Sequence, residues 1–164
     1  MIYVSISKEP RGGDTAGPDI VDRVAEEAGI PSRPDAEIAL VTALEALGAM
    51  VSYPRRDTVA AALPDLAAEP FKRRAYDSSA GAGGLVDGVA RGEQVNPGAA
   101  IEHLGAVLVV LRDTLSPDLF RVFVSELPEG VAAFVPAHRS SGSAPPEAGP
   151  HGERAHRLSD ARPG

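Results

Sequence analysis

The residues of this chain that carry chemistry are few and scattered. Glu102 and His103 stand side by side in a stretch rich in Leu, Ala and Val. An imidazole beside a carboxylate can serve as a general base or a metal ligand. The flank of a core helix accommodates the same pair, and that structural role is the reading adopted. Glu153-Arg154-Ala155-His156 has the Glu-x-x-His spacing of di-iron helix bundles. Such centres need two of these motifs and two further Glu residues, all facing inward from buried helices. One copy in a Pro/Gly-rich segment does not meet that need. His138, His151 and His156 follow no spacing that fixes a metal geometry. Gly81-Ala82-Gly83-Gly84 lacks the preceding strand and the Lys-Ser/Thr or full glycine fingerprint of a phosphate cradle, and reads as a joint. There is no Gly-x-Ser-x-Gly elbow, and no Ser-His-Asp arrangement can be argued. The sequence therefore assigns no catalytic residue, no metal ligand and no cofactor.

One cluster remains. Phe71-Lys72-Arg73-Arg74-Ala75-Tyr76 joins basic and aromatic side chains. Phe71, Lys72, Arg73, Arg74 and Tyr76 are accordingly the candidates for contact with a partner, either an acidic surface or a phosphate. The structural reading of the same cations is that they oppose a helix dipole at its C-terminus. Nucleic acid is a poor partner. The chain carries a formal net charge of −7, and residues 19–136 hold 10 Lys and Arg against 18 Asp and Glu. Such a surface repels phosphate backbones.

The elements that must position these residues are helices. The 164 residues are 43% apolar but only 4% aromatic, with no Trp. A core of Leu, Val, Ile and Ala suits helix packing more than a β-sandwich. The lack of Cys excludes disulfides and thiolate sites and fits a reducing cytoplasm. No apolar run reaches the roughly 18 residues of a membrane span, and the first residues do not form a signal peptide. A cytoplasmic protein with no membrane partner is expected.

Five zones follow along the chain: a flexible leader at 1–17, a helical zone at 18–76, a Gly/Ser joint at 77–84, a second helical zone at 85–136 and a disordered polar tail at 137–164. Ile2, Val4 and Ile6 alternate like a strand, but with no strand to pair with they are read as part of the leader. The two helical zones repeat each other. Ile20-Val21-Asp22-Arg23-Val24-Ala25 lines up with Leu85-Val86-Asp87-Gly88-Val89-Ala90. Leu40, Leu44, Leu47 and Val51 line up with Leu104, Leu108, Leu111 and Leu115, and Leu63-Pro64-Asp65 with Leu127-Pro128-Glu129. Order is kept and one loop residue is lost between the first two matches, which indicates an internal repeat. Asn96-Pro97 and Ser116-Pro117 pair an N-cap with Pro at the first helical position, and Ser32 with Asp35 resembles a capping box. The stretches 36–51 and 99–111 are apolar nearly all round, so they belong inside. The expectation is an all-α fold in which two copies of a three- to four-helix unit form a pseudo-symmetric bundle. These two long helices would pack together at its centre, brought close by Ala43, Gly48, Gly105 and Ala106.

The text Val21-Asp22-Arg23-Val24-Ala25-Glu26-Glu27-Ala28, Val110-Leu111-Arg112-Asp113-Thr114-Leu115 and Glu126-Leu127-Pro128-Glu129 resembles a bacterial family of tandem helical domains, the domain of unknown function 2267. The likeness runs over roughly residues 19 to 136. It implies a duplicated all-α fold and no activity. The family's aromatic-rich segment ending near Gly-Trp is replaced here by Phe71 to Tyr76. Two functions are compatible with these observations. The first is a non-enzymatic module that binds a protein partner or a second copy of itself. The other is a small-ligand protein or enzyme with a pocket between the repeats, which buried Arg, Glu or His at their interface would favour.

Overall fold

The computed structural model describes residues 19–136. The expected leader and tail lie outside this range, and with them Glu153, His156 and the other tail histidines. Among the described residues the chain is all-helical. The α-helices are α1 (Ile20–Ala28), α2 (Arg33–Ala49), α3 (Tyr53–Ala61), α4 (Asp65–Arg73), α5 (Ala82–Glu93), α6 (Pro97–Thr114) and α7 (Pro117–Ser125), followed by a 3-10 turn at Val131–Phe134. No single helix among them is long and apolar enough to cross a membrane.

Local chemistry sets the helix ends. The Asp19 carboxylate accepts from the Asp22 amide at 2.9 Å and starts α1. Arg33 bonds Asp19 and Asp22 together, which holds the Asp19 carboxyl below the usual carboxylate range. Asn96 caps α6 through the Ala99 amide at 2.9 Å, and Ser116 caps α7 through the Leu119 amide at 3.2 Å. Ser32 occupies the N-cap of α2 but its side chain makes no cap bond, so the expected capping box is not formed. Helices α1 and α5 close alike. Gly29 and Gln94 take left-handed backbone with φ of 67° and 57°. The next amides, of Ile30 and Val95, turn back to the carbonyls of Ala25 and Ala90 at 2.9 and 3.0 Å. This closure satisfies carbonyls that the helix leaves unpaired.

The joint is shorter than expected. Helix α5 takes in Ala82, Gly83 and Gly84, which leaves 77–81 outside helix. That remainder is tied down: the Asp77 amide donates to the Ala49 carbonyl at 2.7 Å, and the Asp77 carboxylate accepts from the Ser79 amide at 2.9 Å.

Helices α2 and α6 form the centre. Leu40, Leu44 and Leu47 of the first and Leu104, Leu108 and Leu111 of the second are fully buried. The two touch, but most of their surface is covered by others: α2 by α4 and α5, α6 by α1 and α5. Helix α1 packs on both α2 and α6, and α5 on both α6 and α2. The glycines serve these outer layers and not the α2–α6 contact. A Cβ at Gly48 would lie 1.8 Å from the Phe71 carbonyl oxygen of α4, and one at Gly105 would lie 2.4 Å from that of Phe134. Helix α7 lies at the edge against α3 and α6 and inserts Phe123 into the core.

Candidate functional site

Where α1 and α5 end, their turns face each other across a cleft of about 510 Å³. Its walls are the turn Ala28 to Pro31, the start of α2 with Asp35 and Ile38, the end of α5 with Glu93 and Val95, and Glu102 and His103 of α6. The cleft is thus built from both helical zones, and the short closures after α1 and α5 place its walls.

Glu93 and His103 carry the chemistry. The side chain of Glu93 is only 3% exposed and that of His103 16%. Glu93 Oε2 meets His103 Nδ1 in a hydrogen-bonded contact. The other carboxylate oxygen, Oε1, is buried and meets no donor among the described residues. Burial pushes the Glu93 carboxyl above its ordinary value, and the imidazole offsets part of the rise. A carboxylate on Nδ1 fixes the ring and leaves Nε2 as its second polar atom, which suits proton exchange or hydrogen bonding to a ligand. Among the described residues no hydroxyl, thiol or amine side chain lines the cleft. Among the described residues no group of three His, Asp or Glu side chains comes together to hold a metal ion.

The partner of His103 is not the adjacent Glu102 but Glu93, which sequence reasoning passed over. A signal for Glu93 was present. It is the last residue of α5, where the partial negative charge of the helix C-terminus disfavours an acidic side chain.

The cluster expected to contact a partner is divided by the fold. Phe71 is fully buried, with its ring 5.9 Å from that of Phe123. It is a core residue and is withdrawn from the contact set, because the apolar ring points inward from α4. Arg73 and Arg74 both pair with Glu45 of α2. Lys72 is exposed. Tyr76 is 41% exposed, edge-on to Tyr53 at 6.3 Å. Against Tyr53 lies Arg56, 2% exposed, which donates to the carbonyls of Val51 and Arg74 and stacks 4.8 Å from the centre of the Tyr53 ring. Sequence reasoning missed Arg56 too; in Tyr53-Pro54-Arg55-Arg56 nothing separates the buried arginine from its exposed neighbour.

A second hollow runs along α7. Phe120, Val124 and Pro117 form its apolar floor, and Arg112 and Arg121 border it. Phe120 and Val124 are half-buried.

The family described as "Uncharacterized conserved protein (DUF2267)" matches over residues 18–134. No curated protein matches the chain.

Proposed function

This chain belongs to the DUF2267 family, which supplies a fold and no activity to transfer, and from that premise we propose that the protein binds a small molecule in the cleft between its two helical zones. The observation that carries the reading is the Glu93–His103 pair, nearly buried yet lining an open cavity. Such groups are costly to bury without partners, and their convergence on a cavity of ligand size marks binding sites. Binding is the part of the reading that rests on the lining, which among the described residues offers one acid–base pair and no nucleophile. We also propose that the two zones are diverged copies of one unit. The reciprocal packing of α1 on α6 and α5 on α2 supports this, as do the matching closures of α1 and α5. Residence in a bacterial cytoplasm is part of the same proposal.

A thermal-shift screen of small metabolites tests the reading. A ligand at a hundred times its dissociation constant stabilises by about 2.7 kcal/mol, and His103→Ala should abolish that gain. Stabilisation that survives the substitution would place the ligand elsewhere.

A second reading has its own observation. The apolar hollow on α7 supports association with a protein, including a second copy of this chain. Sedimentation over a range of concentrations should then show association that Phe120→Asp removes; a strict monomer at every concentration, with no α7-dependent partner, argues against it. Lys72, Arg73, Arg74 and Tyr76 remain the contact candidates on the opposite zone.

A further inference from the structure

We infer that the cleft selects a small amphiphilic organic cation, an ammonium or guanidinium group on a short aliphatic chain; the inference rests on the reading of the cleft as a ligand site. Among the described residues Asp35, Glu93 and Glu102 line it and no Lys or Arg does. Even with His103 protonated, carboxylates are in excess. Helices α1 and α5 both end at the cleft, and helix C-termini carry partial negative charge. Among the described residues every charged side chain of the lining but His103 favours a cation, and Asp35 offsets the partial positive charge at the start of α2.

The buried carboxylate says what kind of cation. Glu93 Oε1 meets no donor among the described residues although its side chain is 3% exposed. A buried acceptor without a donor is unfavourable, and a ligand N–H would satisfy it once the Glu93 carboxylate turned that oxygen toward the cleft. A bare metal ion is disfavoured because three ligating side chains do not converge here among the described residues.

The walls say what the cation is attached to. Ile30, Pro31, Ile38 and Val95 give the cleft an apolar side. Comparable positions in the two zones differ in character. The last residue is Ala28 in α1 and Glu93 in α5. The sixth residue is Ile38 in α2 and Glu102 in α6, and the seventh is Ala39 in α2 and His103 in α6. One zone supplies mainly hydrocarbon and the other mainly charge, with Asp35 as the acidic residue of the apolar side. An ammonium held at Glu93 and Glu102 would lay an aliphatic chain toward Ile30 and Ile38.

Three probes with one tail separate the terms: n-hexylammonium, n-hexanol and n-hexanoate, titrated at equal ionic strength into the full chain labelled with nitrogen-15. The amides of Gly29, Ile30 and Val95 report the cleft. Hexylammonium should bind there roughly tenfold more tightly than either analogue, the factor expected for about 1.4 kcal/mol. Glu93→Gln should remove most of that preference. Should this variant fold poorly, Asp35→Asn on the exposed rim should still reduce it severalfold. Hexanol or hexanoate binding as tightly as hexylammonium would overturn the charge selection and leave the cleft as a ligand site. No shift of these amides with any probe would overturn both readings.

Discussion

A nearly buried carboxylate meets an imidazole at Glu93 and His103, and its titration is testable. Burial raises the Glu93 carboxyl above the ordinary glutamate value of 4.5, with His103 opposing. A folded state that holds its proton to higher pH than the unfolded chain loses stability as pH rises through that window. The contribution of Glu93 is therefore most favourable below pH 4.5, declines up to the raised value and is flat above it. Glu93→Gln removes the titration. The stability of the variant relative to the wild type should increase as pH rises from 4.5 through the raised value and then level off. Urea melts at several pH values measure it. A difference that stays flat or shrinks with rising pH would mean that the His103 contact outweighs burial. The sequence showed His103 but not this pair, because Glu93 and His103 stand ten positions apart on two helices set at about 100° to each other. Only the left-handed closure at Gln94, a residue without the usual signature of glycine, brings them together.

At the scale of the element, residue patterns reported helix existence well and helix neighbours poorly. The Leu stripes of α2 and α6, the Asn96 and Ser116 caps and the helix stops before Pro64 and Pro128 follow from local chemistry, and local chemistry is legible in a sequence. Which helix a small residue faces depends on long-range packing. Gly48 and Gly105 read as contacts between α2 and α6 but accept backbone carbonyls of Phe71 and Phe134 instead. Phe71 read as surface because basic residues follow it, although the period of α4 turns it inward with Ala67 and Pro70. Two glycines test this account with opposite signs. Gly48→Ala places a Cβ 1.8 Å from the Phe71 carbonyl oxygen, a backbone atom that cannot swing aside, and overpacking of this kind costs about 1–3 kcal/mol. Gly88→Ala in α5 meets nothing within 4 Å and should gain up to about 1 kcal/mol from helix propensity. Thermal melts of both variants decide the point. Equal effects would mean that helix propensity alone governs both sites and that α4 can move away from α2.

For the whole molecule, the question is whether the two helical zones unfold together. Helix α1 lies on α6 of the other zone, and α5 lies on α2. Polar links cross in the same sense. Arg23 of α1 bonds Thr114 at 3.3 Å and pairs with Asp113 at 3.5 Å. Arg55 of α3 pairs with Glu126 after α7 at 2.7 Å, and Glu126 also accepts the Ser52 amide at 3.2 Å. The exposed pairs contribute little each; the shared apolar core dominates, and it is continuous from Ile20 to Val131. Neither zone can then lose its core while the other keeps its own. Leu108→Ala tests this, because Leu108 is fully buried in α6 and such a truncation costs about 2–5 kcal/mol. The chain supplies a convenient local probe, since it has no Trp and no Tyr beyond Tyr76. Tyrosine fluorescence in a denaturant titration therefore reports residues N-terminal to the substituted helix, while far-UV circular dichroism reports every helix. In a cooperative fold both midpoints fall together and by the same amount, although the substitution is in the zone without tyrosine. An unmoved fluorescence midpoint beside a two-step dichroism curve would show instead that the zones fold separately, and the cleft between them would lose the rigid walls on which its selectivity depends.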